Sequence, residues 1–136
     1  MVDIDIAYQG ELRCRATHRP SSTVLTSDAP LDNQGRGESF SPTDLVATAL
    51  GTCMLTLMGI RSRERGWNLD GTTLHVKKTM TTSPPRKIAR LETEIRVPQV
   101  LDEAARKVLE HAAHTCPVRL SIAESIEVPV RFEWGS

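Results

Sequence analysis

Three side chains in this sequence carry a sulfur nucleophile: Cys14, Cys53 and Cys116. The thiolate is the reactive form, so what surrounds each cysteine decides what it can do. Cys53 lies inside Leu45 to Ile60, a stretch with no charged residue. Taken alone it reads either as a small core residue, since free cysteine is among the most buried side chains, or as a nucleophile. An apolar mid-helix setting raises a thiol's pKa, so reactivity there requires a nearby cation. Cys116 precedes Pro117 and a helical turn, which places its thiol at a helix N-terminus, where the dipole favours the thiolate. The alternative is a cysteine that merely ends the preceding helix. On these grounds Cys116 is expected to be the more acidic of the two. Cys14, between Arg13 and Arg15 on a predicted strand, reads as structural or incidental.

Other chemistries fit poorly. The four histidines, His18, His75, His111 and His114, form no metal-ligand pair with the cysteines at C-x-x-C or H-E-x-x-H spacing. His111 and His114 read as a solvated helix face, and no metal or cofactor is expected. Gly35-Arg36-Gly37 neither follows a strand nor opens a helix, so it is no phosphate cradle. Seventeen basic and 17 acidic residues give zero formal net charge, which argues against nucleic acid as a partner. Aromatics make up only 4% of the chain, too few for recognition by stacking. Three cysteines are no disulfide scaffold, and the acidic start, with Asp3 and Asp5, does not resemble a signal peptide; a cytoplasmic protein is expected.

These residues must be positioned by elements that the sequence marks out, within a single domain spanning 1–136. Val2 to Tyr8 alternates apolar and polar, Gln9-Gly10 signals a turn, and Glu11 to Thr17 reads as the second strand of a hairpin. Ser22 to Thr26 suits a short third strand, and Ser27 to Phe40 a long polar loop of the length that often carries function. Ser41-Pro42-Thr43-Asp44 then offers a cap serine, a proline at the first helical position and an acid at the third. The uncharged run Leu45 to Ile60 would be about 24 Å long, short of the roughly 20 residues that span a bilayer. A helix apolar on every side must be buried on every side, and one chain of this length can hardly cover it alone. A second subunit is therefore expected, with Ala47, Gly51, Thr48, Thr52 and Thr56 allowing close helix approach. Thr73 to Thr82 and Lys87 to Val97 form a hairpin with one buried face. Asp102 to His114 is an amphipathic helix with Ala105, Val108, Leu109 and Ala112 inward, halted at Cys116-Pro117. A turn over Val118 to Ala123 and a strand over Ile126 to Glu133 follow. The order is α+β and mainly antiparallel.

Four blocks then fall into a familiar pattern: Gly35-Arg36-Gly37-Glu38, Ser41-Pro42-Thr43-Asp44-Leu45, Ala49-Leu50-Gly51-Thr52-Cys53 and His114-Thr115-Cys116-Pro117-Val118. Together, with 62 residues between the two thiols, they resemble the OsmC/Ohr family of thiol peroxidases, most closely its OsmC-like branch. The resemblance implies an OsmC-like fold, in which a mainly antiparallel sheet wraps around a long buried cysteine-bearing helix, and an intertwined homodimer with active sites at the subunit interface. It implies that Cys53 attacks a hydroperoxide, that the sulfenic acid is resolved by Cys116 as a disulfide, and that an external dithiol restores both thiols. The family activates its nucleophile with an arginine held by a glutamate. That glutamate's place, ten residues before Cys53, is Thr43 here, with Asp44 adjacent and Glu38 as a substitute from the loop. Arg36 is the first candidate for the arginine and Arg15 the second. Phe40, Leu50, Met54 and Leu57 are the expected wall of an apolar pocket for alkyl peroxides. Thr43 also leaves open a second reading: an OsmC-like dimer that binds a small apolar ligand or senses redox state with little or no turnover.

Overall fold

The computed structural model describes residues 1–136, which fall into two compact units, Met1–Val46 and Ala47–Ser136.

The first unit is a three-stranded antiparallel sheet followed by a loop. β1 (Ile4–Gly10), β2 (Arg13–His18) and β3 (Thr23–Asp28) pair in chain order. The β1–β2 connection is tighter and later than the turn expected at Gln9-Gly10. Gly10, Glu11 and Leu12 all take positive φ, with Glu11 and Leu12 forming the link. Apolar side chains on this sheet, among them Ile4, Ile6, Tyr8, Val24 and Leu25, are exposed. The unit's buried side chains are instead polar: Ser27, Asp28 and Ser41. The loop beyond β3 is more ordered than its composition suggests. It holds a short 3₁₀ turn at Leu31–Asn33, and its ends are drawn together by Gly37 N–H donating to Ala29 O at 3.1 Å and Asp28 N–H donating to Phe40 O at 3.0 Å.

α1 (Pro42–Arg65) starts where the cap sequence places it. Ser41 Oγ accepts from Asp44 N–H at 3.1 Å while Asp44 Oδ2 accepts from Ser41 N–H at 2.9 Å, the reciprocal capping box. The helix runs on past Ile60 to Arg65, because Arg61 and Glu64 sit one turn apart and pair at 3.3 Å on the solvated face. Gly66, at φ +72°, ends it. At 24 residues it is long and apolar enough to cross a membrane, so the length argument against a span does not hold. Its burial is also narrower than expected. Ala47, Leu50, Gly51, Met54, Met58 and Ser62 make one inward stripe at i, i+3 and i+4 spacing, whereas Thr52, Thr56 and Ile60 stay exposed.

The rest of the second unit comprises β4 (Thr73–Met80), β5 (Ile88–Val97), α2 (Glu103–His114), α3 (Pro117–Ser121) and β6 (Val130–Trp134). β4 and β5 form the expected antiparallel hairpin, and Leu91, Thr93, Ile95 and Val97 are buried along one face of β5. Gly51 lies so close to Leu74 on β4 that a Cβ there would stand 2.8 Å from the leucine's Cδ2. α2 is capped by Asp102, whose Oδ1 accepts from Ala105 N–H at 2.8 Å, and it buries Ala105, Leu109, Ala112 and Ala113. β6 pairs with β5 in parallel, Ile95 facing Phe132. The helical crossover through α2 and α3 permits this, since a chain returning to the same end of a sheet enters parallel. Buried Thr93 is satisfied across that pair, its hydroxyl donating to Pro129 O at 3.2 Å.

Candidate active site

Both cysteines of the expected pair belong to the second unit, and their side chains meet. Cys53 sits mid-helix on α1, half-buried beside the core stripe. Cys116 is fully buried and caps α3: extended at φ −66° and ψ 149°, it accepts Arg119 N–H on Sγ at 3.4 Å, with Pro117 at the first helical position. The two thiols are near enough to influence each other's protonation, and both are in the free form. Burial pushes the Cys116 thiol up from its ordinary value; the Arg119 N–H opposes this, and the contact with Cys53 adds to it. The expectation that the helix terminus makes Cys116 the acidic thiol is therefore corrected. One backbone donor at a five-residue helix does not offset removal of the sulfur from water. Burial therefore favours the protonated form of Cys116. Cys14 is half-buried on β2, its backbone opposite Tyr8 and Ser27.

The charged candidates belong to the first unit, and their pairing differs from expectation. Glu38 does not hold Arg36. It holds Arg13, whose Nη2 lies against the Glu38 carboxylate and also 3.3 Å from Asp28 Oδ2. Arg36 pairs instead with Glu11 at 2.9 Å, both side chains mostly exposed. Arg15, on the same face of β2 as Arg13, is exposed. Asp44 is engaged in the capping box, and Thr43 is half-buried with its Oγ1 3.2 Å from Ser41 Oγ. Asp28 is 1% exposed, and its carboxyl is held below the ordinary carboxylate range by the Glu38 N–H, then by Arg13 and the Ala29 N–H, against the cost of burial. Arg13 and Asp28 were not singled out from the sequence. The signal that finds them is strand register: they are paired positions of the β2–β3 hairpin.

Of the expected pocket wall, Leu50 and Met54 are fully buried on the inward stripe of α1 and serve as core. Phe40, 53% exposed, and half-buried Leu57 are the two with surface left to offer a ligand. His111 and His114 are exposed in the last turn of α2, with His114 edge-on to Phe132 at 6.0 Å. No group of three His, Cys, Asp or Glu side chains stands close enough to hold a metal ion.

Two neighbouring free thiols, one of them buried, are the candidate reactive pair of the site. Residues 35–131 match the OsmC family of OsmC-like proteins. The chain is 42% identical to a candidate osmotic stress induced and detoxification response protein from Psychrobacter arcticus 273-4, with a TM-score of 0.92 over 97% of this chain and 96% of that one. Its fold is also that of an OsmC-like protein from Mycoplasma pneumoniae, at 14% identity and a TM-score of 0.82 over 100% and 98% of the two chains. An organic hydroperoxide resistance protein from Elizabethkingia anophelis shares it at 16% identity, with a TM-score of 0.78 over 98% and 95%. No curated protein matches the sequence.

Proposed function

The chain belongs to the OsmC-like protein family, and on that premise we propose that it is a cysteine-based peroxidase that reduces organic hydroperoxides or hydrogen peroxide in defence against oxidative stress. The observation that carries this reading is that half-buried Cys53 on α1 and fully buried Cys116 at the start of α3 are neighbours, burial raising the Cys116 thiol's pKa. The Cys53 thiolate attacks the terminal peroxide oxygen. The O–O bond breaks, the alkoxide leaves with a proton as alcohol or water, and Cys53 becomes a sulfenic acid. Cys116 then attacks that sulfur; its thiol proton leaves with the hydroxyl as water, and a Cys53–Cys116 disulfide forms. An external dithiol reduces the disulfide by exchange and is itself oxidised. A buried, protonated resolving thiol suits the second step, since it does not compete for peroxide in the first.

A thiolate in an apolar setting requires a cation. Arg36 and Arg15 are the candidates that the family resemblance supplies. The working unit is a homodimer in the cytoplasm. Exposed Ile4, Ile6 and Tyr8 on β1 and exposed Thr52, Thr56 and Ile60 on α1 are the surfaces that favour a second subunit.

The test is peroxide consumption with a dithiol donor. Cys53→Ser is expected to abolish it, while Cys116→Ser is expected to stop after one turnover with a sulfenic acid that a 1,3-diketone traps. Wild-type consumption by Cys53→Ser would sink the mechanism. Thr43, in the place of the family's glutamate, favours a second reading: a dimer that binds a small apolar ligand or senses redox state. A Cys53 alkylation midpoint at or above the free-cysteine value of about 8.5 would favour that reading.

A further inference from the structure

Cys116 is 0% exposed, yet reduction of a Cys53–Cys116 disulfide requires an external thiolate to reach one of the two sulfurs. Attack on the sulfur of half-buried Cys53 expels Cys116 as a thiolate where burial disfavours its charge, and a poorly stabilised thiolate leaves slowly. Attack on Cys116 expels Cys53 instead, but the sulfur must first be uncovered. The element that begins at this sulfur is α3, and α3 is weakly held. It buries none of its five residues, and Leu120 stands 72% exposed. Its first turn is capped by the Cys116 sulfur itself, which accepts Arg119 N–H at 3.4 Å. Its backbone bonds, Leu120 N–H to Cys116 O and Ile122 N–H to Val118 O, both at 3.1 Å, are local to the turn. One sulfur thus serves as both the redox atom and the fastener of the segment beside it.

We propose that α3 is a redox-gated flap: closure of the Cys53–Cys116 disulfide draws the capping sulfur away from the first turn of α3, and the turn opens to admit the dithiol to Cys116. This rests on the cysteine-peroxidase reading above. In the reduced protein the sulfur caps α3 and the flap is shut. In the disulfide the sulfur is bonded to its partner at about 2.05 Å and turned towards α1, so Arg119 N–H loses its acceptor. A single turn with no cap and no buried side chain opens at little cost. The dithiol's thiolate attacks the Cys116 sulfur, the S–S bond breaks, and Cys53 leaves as a thiolate. The reagent's second thiol, giving up its proton, attacks the reagent sulfur of the mixed disulfide. Cys116 leaves as a thiolate, now hydrated, takes a proton and caps α3 again, while the dithiol ends as a disulfide.

The experiment is hydrogen exchange on the full chain, following the Arg119, Leu120 and Ile122 amides with those of α2 as the internal reference. Reduced protein is compared with protein oxidised by diamide, the disulfide being verified by peptide mass. Oxidation is expected to speed exchange in α3 by about fivefold or more, the size of a lost N-cap, and to leave α2 unchanged. Reduced Cys116→Ala, which also lacks the cap, is expected to show the same rise. Cys116→Ser keeps an acceptor at that position and is expected to stay as protected as the reduced wild type. A brief, acid-quenched pulse of 2-mercaptoethanol on the oxidised protein is expected to leave its adduct on Cys116. An adduct on Cys53 alone overturns the flap and leaves the peroxidase reading standing, and so does α3 exchange that is equal in the reduced protein and the verified disulfide. A folded Cys116→Ala protein with wild-type protection of α3 overturns it as well. If no Cys53–Cys116 disulfide forms, the disulfide step of the peroxidase reading fails and the flap falls with it. Should Cys116→Ala fail to fold, seen as faster exchange in α2 too, the oxidised wild type carries the test.

Discussion

A Cβ on Gly35 would stand 1.8 Å from Ala29 O, 2.2 Å from Ala29 C and 2.5 Å from Ala29 Cβ. Two of these are backbone atoms, so no side-chain rotation can relieve the overlap. Van der Waals contact begins near 3.5 Å, so Gly35→Ala must part the two strands of the loop by roughly 1.5 Å. That opening removes the bonds closing the loop, Gly35 N–H to Pro30 O at 3.0 Å and Gly37 N–H to Ala29 O at 3.1 Å. At about 0.5–1.5 kcal/mol each they contribute roughly 1–3 kcal/mol. The smaller conformational entropy of alanine in the unfolded chain offsets about 0.4–1 kcal/mol. The net expectation is a loss of about 1–2 kcal/mol, which at a urea slope of about 1–3 kcal/mol/M lowers the unfolding midpoint by roughly 0.5–1 M. Gly59→Ala is the control of opposite sign. It lies mid-helix on α1, and an added Cβ meets nothing within 4 Å. Replacing glycine by alanine there is expected to stabilise by roughly 0.5–1 kcal/mol. The assay is urea unfolding of both variants at matched protein concentration. A Gly35→Ala midpoint equal to or above wild type would refute the argument that the loop must close this tightly.

Leu109→Ala, at a fully buried position of α2, is expected to cost about 2–5 kcal/mol in the same urea titration. Two of the shifted acids predict opposite limbs of a stability–pH profile. Asp28's folded pKa is lowered, so its contribution is present above its unfolded value and is lost as pH falls through the folded one; Asp28→Asn should flatten the acid limb. Cys116's folded pKa is raised, so its contribution is present below the ordinary thiol value and is lost as pH rises through the folded one; thermal scans of Cys116→Ala should show a shallower alkaline decline than wild type. By light scattering the wild-type protein should have twice the 15.0 kDa chain mass, and Ile6→Glu on the exposed face of β1 should shift it towards one chain.

The parts of this structure legible in the sequence are those set by local chemistry. Ser41, Pro42 and Asp44 specify the start of α1 to the residue, and the alternation from Leu91 to Val97 specifies the buried face of β5. The blocks around Cys53 and Cys116 named the family, and the thiols do meet. What escaped is non-local. An alternating strand looks the same whether it enters parallel or antiparallel, so the direction of β6 waits on the crossover. The sequence shows that Cys116 opens a helix but not that the sulfur is shut away from water, and the second fact decides its proton. Arg36 beside Glu38 in sequence looked like the natural pair. The β2–β3 register instead sets Arg13 against Asp28, with Glu38 folded back onto them.

The parallel entry of β6 also sets a schedule for the growing chain. β5 supplies Leu91, Ile95 and Val97 to the core, yet one of its edges stays open until Val130–Trp134 has been made. The 37 residues that follow Val97 as far as Trp134 take about 2–7 s to translate at roughly 5–20 residues per second. During that interval a strand with one apolar face and half of its backbone donors and acceptors unpaired is available to other nascent chains. Conditions that slow synthesis late in the chain, or truncations before Val130, therefore bear on aggregation more than on the stability of the finished protein.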